Sequence, residues 1–246
     1  MKRYIFFAVV AGVFLLASGL AYLCHYLIFR DTHHIFIYLV GDLAFLPLEV
    51  LLVGLIIDRL LHRREKQALL RKLNIVVGAF FSEVGNQLMA ELLKHSERGA
   101  EIRQRFRVTN QWTWRDFRSA RAFARTFKAQ CRVDAAGLAN LKAFLGMKRP
   151  FMLALLENPN LLEHEGFTDM LLAVFHLDEE LEARQLLEGL PESDVRHIGG
   201  DIERAFSHVV TEWLAYAEHL KSEYPFLFSL VSRTHPLQDH PTPVVG

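Results

Sequence analysis

Two apolar stretches, Tyr4 to about Phe29 and Ile35 to Ile57, lie near the start of this chain with only a short polar turn between them. A bilayer's hydrocarbon core is roughly 30 Å thick and an α-helix rises about 1.5 Å per residue, so either stretch can cross it. The first also has a signal-peptide reading, because Lys2 and Arg3 make a basic start and Gly19-Leu20-Ala21 loosely resembles a cleavage site. Its uncharged run continues to Leu23, beyond the roughly 7–15 residues of a signal core, which favours an uncleaved helix. Cytoplasmic flanks of membrane spans carry the Lys and Arg excess. Lys2 and Arg3 precede the first stretch, and Arg59, Arg63, Arg64, Lys66, Arg71 and Lys72 follow the second, against Arg30 alone in the turn. The expectation is an integral protein of a bacterial-type inner or plasma membrane with both termini cytoplasmic.

The 246 residues then divide into a transmembrane hairpin over 1–60, with spans of about 4–29 and 35–57, a cytoplasmic helical domain over 61–234, and a tail over 235–246. Pro236, Pro241 and Pro243 with little to bury predict disorder in that tail. The domain is long enough to close a core of its own. Formal net charge is zero, but it hides an asymmetry. From Ile102 to Arg132 basic residues face Asp116 alone, whereas from Glu157 to Glu203 a run of acids faces only Arg184 and Arg196. The two cysteines, Cys24 and Cys131, cannot build a disulfide framework and are expected as reduced thiols.

Apolar residues of the domain recur at three and four with no sustained alternation, so the fold class is all-α. Leu69, Leu70, Leu73, Val76, Val77, Phe80, Phe81, Val84, Leu88 and Leu92 form one broad stripe on a helix that can continue from the second span. Thr113 with Asp116 makes a capping box, and Asp134 caps the next helix through Leu138, Leu141 and Leu145. Pro150, Asn158-Pro159 and Gly189-Leu190-Pro191 read as breaks. Gly199-Gly200 then reads as the end of a short segment, with Asp201 capping a long helix that buries Ile202, Phe206, Val209, Trp213, Ala217 and Leu220.

The runs Gly41-Asp42-Leu43-Ala44-Phe45-Leu46-Pro47-Leu48-Glu49-Val50, Ile56-Ile57-Asp58-Arg59-Leu60-Leu61 and Gly78-Ala79-Phe80-Phe81-Ser82-Glu83-Val84-Gly85 carry a resemblance. Glu212-Trp213-Leu214, His219-Leu220-Lys221 and Tyr224-Pro225-Phe226-Leu227-Phe228-Ser229 extend it to the C-terminal part. With these motifs the chain resembles a family of uncharacterised bacterial and archaeal membrane proteins. The resemblance implies two N-terminal transmembrane helices and a helical cytoplasmic domain, and it brings no activity.

Asp42 and Glu49 lie seven residues apart, which sets them within about 20° on one helix face, with Tyr38 a turn above Asp42. An acid inside a membrane costs about 2.5–3.5 kcal/mol on insertion scales, so a face with two of them should meet protein or water. From the rise per residue Asp42 sits about 6 Å outward of mid-membrane, where Ser18 and Tyr22 of the first span are in reach. Ala8, Gly12 and Gly19 would allow the two helices a close approach. Glu49 falls opposite Val13 and Phe14, so its partner is expected from a second copy, from water in a pore, or from carbonyls freed by Pro47.

The Arg-rich segment, with Arg103, Arg105, Arg107, Arg118, Arg121 and Arg125 near Trp112, Trp114 and Phe117, suits anionic headgroups or an acidic partner. Docking against the acidic Glu157–Glu203 region is the internal alternative, with Arg118, Arg121, Arg125 and Arg132 on one face; nucleic acid ranks below both. His25, His33 and His34 with Asp31 read as interfacial polar anchors, and Asp201, His208, Glu212, His219 and Glu223 as a solvated helix face. No metal or cofactor is therefore expected. Phosphate-binding, dinucleotide, Cys-x-x-Cys, zinc-protease and nucleophile-elbow motifs are all absent, so the chain is read as non-enzymatic. The leading expectation is a membrane-anchored interaction or regulatory module, self-associating and open to a cytoplasmic protein partner; the alternative is a small oligomeric ion channel or proton path through Asp42 and Glu49.

Overall fold

The computed structural model describes residues 2–158, 161 and 164–244, without the side chains of 2–6, 8, 63 and 65–72. The expected roles of Lys2, Arg3, Ala8, Arg63, Lys66, Leu69, Leu70, Arg71, Lys72, Pro159 and Glu163 therefore lie, wholly or in their side chains, outside the described residues. The fold is all-α, and among those residues nine α-helices form. They are α1 Lys2–Phe29, α2 Thr32–Phe80, α3 Asn86–Lys94, α4 Gly99–Phe106, α5 Trp114–Thr126, α6 Ala135–Leu156, α7 Glu165–Glu182, α8 Glu192–Glu223 and α9 Pro225–Thr234, with a π-helical turn Phe81–Gly85 between α2 and α3. The chain divides within α2 into two units, Met1–Lys66 and Gln67–Gly246.

In the first unit a two-residue turn reverses the chain. Arg30 adopts φ 50°, and the Asp31 carboxylate accepts the His34 N–H at 3.2 Å, capping the start of α2. Val9–Phe29 and Thr32–His62 are long and apolar enough to cross a membrane, and their side chains are exposed almost throughout. Pro47 lies inside α2 without ending it. Nothing lies within 4 Å of where a Cβ would stand on Gly12 or Gly19, so the close approach expected there is not seen.

The second unit is built on α8. Ile198, Ile202, Ala205, Phe206, Val209, Val210, Trp213, Leu214, Ala217 and Leu220 recur at three and four and are buried, because α3, α5, α7 and α9 pack around this one helix. α6 packs on α7 and α3 through Leu138, Leu141 and Leu145. The stripe expected after the second span is present: Leu73, Val77, Phe80, Phe81, Val84, Leu88 and Leu92 are buried. Its helix widens to a π turn where Phe80 and Phe81 both face inward, Phe80 edge-on to Phe167 at 5.3 Å and Phe81 stacked on Tyr216 at 5.5 Å. Only glycine fits at 85, since a Cβ there would stand 2.9 Å from the Phe80 ring and closer still to the Phe81 ring.

Both predicted caps form. Asp116 accepts the N–H of Thr113 at 2.6 Å and its hydroxyl at 2.8 Å, and Asp134 accepts the Gly137 N–H at 2.8 Å. Three expectations are corrected. Pro150 does not break the chain but lies inside α6, where Leu145 before it and Met152 after it are both buried in the core. Gly199-Gly200 does not end a helix and Asp201 is not a cap: α8 runs unbroken from Glu192. A Cβ at Gly199 would stand in ordinary van der Waals contact, 3.7 Å from Cys131 and Val133. The expected disorder from His235 onward gives way to packing. His235 and Leu237 are buried, Gln238 donates to the Val108 carbonyl at 3.0 Å, and Asp239 pairs with Arg107 at 2.6 Å; residues 245 and 246 lie outside the described residues.

Candidate functional site

Four polar groupings stand out, one in the apolar hairpin and three in the helical domain. In the hairpin, Asp42 and Glu49 are both exposed on α2, and among the described residues neither makes a hydrogen bond or ion pair. Ser18 and Tyr22 on α1 likewise give Asp42 no hydrogen bond. Tyr38 instead meets His34 edge-on at 4.9 Å, and His34 lies parallel to His25 at 6.3 Å, so the histidines near the turn form an aromatic column. The carboxylate of Asp31 is taken up by its capping bond.

The basic segment is partly satisfied within the domain, by partners other than the acidic run. Arg121 pairs with Glu218 at 2.8 Å, and Arg107 with Asp239. Arg105 lies over Phe123 at 5.1 Å, and Arg115 and Arg118 lie over Trp114 at 5.3 and 4.4 Å. Arg103 is half-buried and Arg125 exposed; Arg132 lies in the loop beyond α5 and so does not share the face of Arg118, Arg121 and Arg125. The acidic run contributes Glu203, which accepts the Gln130 N–H at 2.7 Å. Otherwise it is neutralised by basic residues of its own neighbourhood: Arg149 on Asp178, Arg184 on Glu180 and Asp194, Arg196 on Glu192, and Arg204 on Asp201. Asp178 is fully buried, and burial pushes its carboxyl above the usual range while Arg149 pulls it back.

The face expected to hold Asp201, His208, Glu212, His219 and Glu223 together is divided by packing. Glu212 is buried on the α7 side, where Gly166 makes room for it, and burial raises its pKa against the opposing pull of His164, Arg125 and Arg121. His164 Nδ1 comes to 4.0 Å from Glu212 but accepts the Phe167 N–H at 3.2 Å, so its lone pair is spent on capping α7. His219 lies edge-on to Tyr224.

Asp201 joins a different group, which the sequence reading missed. α7 and α8 are joined by the short connection 183–191 and run antiparallel, which brings His176 level with Asp201 and Glu180 level with His197. Within each helix the pair is spaced i, i+4 and so shares a face. His176 Nε2 is 3.6 Å from Asp201 and 4.0 Å from Glu180; His197 Nε2 is 3.5 Å from Glu180 and 3.4 Å from Asp201. All four donor atoms lie within 4.8 Å of one another. Arg184 holds one oxygen of Glu180 at 2.7 Å, and Arg204 holds one oxygen of Asp201 at 2.7 Å. A signal for this group was legible as His-x-x-x-Glu at 176–180 and His-x-x-x-Asp at 197–201. Reading a helix start at Asp201 separated the second pair.

Comparison with known proteins gives two family models that together cover most of the chain. Residues 2–61 match "MJ1433, N-terminal helical domain", and residues 69–233 match "Uncharacterized protein MJ1433, C-terminal helical domain". The chain is 40% identical over 238 residues to "Uncharacterized protein MJ1433" of Methanocaldococcus jannaschii, covering 97% of this chain and 95% of that relative. No solved structure matches.

Proposed function

The chain belongs to the MJ1433 family of proteins with N-terminal and C-terminal helical domains, and from that premise we propose that it is a membrane-anchored helical module that self-associates through its second apolar helix. The observation that carries this reading is the contrast between the units. The Val9–Phe29 part of α1 and the Thr32–His62 part of α2 expose their apolar side chains, whereas the helices from Gln67 onward close a core of their own. Lipid is the solvent that makes the first arrangement favourable. Asp42 and Glu49 then need a partner in that solvent, and the matching face of a second copy is one that can supply polar contacts to them. The domain, on the cytoplasmic side, offers Trp114 with the Arg115 and Arg118 guanidiniums over it, suited to anionic headgroups or an acidic partner protein.

Polar contacts between membrane helices are worth about 0.6–2 kcal/mol each. Full-length protein in mild detergent should therefore be oligomeric by light scattering, and Asp42→Leu with Glu49→Leu should weaken association roughly tenfold or more. A monomeric wild type removes the self-association. The same unpaired Glu49 supports a second reading, a small oligomeric ion channel or proton path. That reading requires a flux in proteoliposomes which Glu49→Gln abolishes, and wild-type vesicles without flux across pH and voltage would eliminate it.

A further inference from the structure

The geometry points to a binding site for one divalent transition-metal cation, of the Zn²⁺ class, formed by His176 and Glu180 of α7 with His197 and Asp201 of α8. Nothing in the membrane reading requires it, and it stands or falls separately.

The argument rests first on distances. A tetrahedral ion with bonds of about 2.0–2.1 Å holds its ligand atoms about 3.3–3.4 Å apart. Counting either oxygen of each carboxylate, the His-to-carboxylate separations here run from 3.4 to 4.0 Å, and one donor atom from each residue can be chosen so that all four lie within 4.8 Å of one another, so side-chain rotations close the set around an ion. Two imidazoles with two carboxylates suit a borderline cation such as Zn²⁺ better than Ca²⁺ or Mg²⁺, which take oxygen ligands.

The second argument is burial. Asp201 is only 2% exposed, and although Arg204 takes its Oδ1, its buried Oδ2 has no hydrogen-bond partner. An unsatisfied buried carboxylate oxygen is costly, and this one faces the His197 ring nitrogen at 3.4 Å. His176 and His197 are 45% and 52% exposed, so the group is open to solvent on one side and closed by Asp201 on the other. A cation can enter without unfolding the hairpin.

The third argument is the surrounding shell. Arg184 binds Oε2 of Glu180 together with Asp194, and Arg204 binds Oδ1 of Asp201, so a guanidinium anchors each carboxylate; the oxygens left free, Glu180 Oε1 and Asp201 Oδ2, lie 4.0 Å from His176 and 3.4 Å from His197. Such partners orient ligands before the ion arrives. A bound ion would staple α7 to α8, the helix on which the whole domain packs.

Full-length protein in mild detergent, stripped with chelator, is titrated with Zn²⁺ by calorimetry and with Co²⁺ by visible absorption. The expected result is one site per chain, tetrahedral d–d bands for Co²⁺, affinity that falls as acid protonates the imidazoles, and a higher melting temperature with Zn²⁺. His176→Gln combined with His197→Gln changes two half-exposed rings and should lower affinity at least a hundredfold. His208→Gln combined with His219→Gln, at histidines outside the group, should leave it unchanged. Equal binding by the two double variants, or no stoichiometric site in wild type, overturns the proposal.

Discussion

Replacing Trp213 by alanine is expected to destabilise the helical domain by about 3–5 kcal/mol, the range for deleting a large buried aromatic side chain. Trp213 is fully buried on α8, and its ring lies 4.5 Å from that of His235. Because α8 is the helix that α3, α5, α7 and α9 share, the cavity opens where neighbouring elements cannot collapse together. For a domain of this size the loss corresponds to a melting temperature lower by roughly 10 °C or more. Near-UV circular dichroism of full-length protein in detergent measures it, since that signal follows aromatic packing. Trp213→Phe should cost less, because the indole N–H it removes is buried without an acceptor. Trp114→Ala, at a side chain 53% exposed, should change stability by no more than about 1 kcal/mol. Equal effects at 213 and 114 would contradict the placement of the core.

Acidification from pH 7 toward pH 4 is expected to destabilise the domain through His235. Burial lowers this imidazole from 6.5 to about 4, and the Val108 carbonyl, outside hydrogen-bond geometry, opposes that only in part. The unfolded chain therefore binds a proton that the folded chain refuses. Stability is complete above about pH 6.5 and falls as pH drops toward the folded value, by about 1 kcal/mol near pH 5.5 and about 3 kcal/mol near pH 4. His95, buried at the end of α3, is shifted in the same direction by desolvation and adds to the slope. The carboxylates of Asp194 and Glu180, lowered by their hydrogen bonds to Arg184, lose stability only at more acid pH. Glu212 and Asp178, whose carboxyls burial raises, act in the opposite sense as pH falls, so from pH 7 to 5 the part due to His235 is read as the difference between wild type and a His235 variant. His235→Phe keeps a ring against Trp213 and should flatten the melting-temperature profile there, measured with chelator present so that His176 and His197 carry no metal. An unchanged slope in His235→Phe would show that the ring is not buried neutral.

The hairpin, the stripe from Leu73 to Leu92 and the caps at Thr113 and Asp134 were legible because each is local: length, periodicity or a three-residue spacing defines it. Pro150 and Gly199-Gly200 misled for the opposite reason. Their local cost in a helix is about 3 and about 1 kcal/mol, and burial of Leu145 and Met152 around the one and of Ile198 and Ile202 around the other outweighs it. The tail was misjudged because His235 and Leu237 bury against surfaces that exist only after the domain folds. The four-residue group on α7 and α8 needs the antiparallel register of two helices, which no single helix wheel displays. Charge runs were informative about composition but not about pairing, since Arg121 and Arg107 found Glu218 and Asp239, both outside the acidic segment.

The central claim is that α1 and α2 anchor this chain in a bilayer with the domain on the cytoplasmic side. Alkaline carbonate extraction of membranes containing full-length protein, followed by protease treatment of inverted and right-side-out vesicles, tests it most directly. The account predicts retention in the membrane until detergent is added, with the domain digested in inverted vesicles and protected in right-side-out ones. Release of intact chain by carbonate would contradict it.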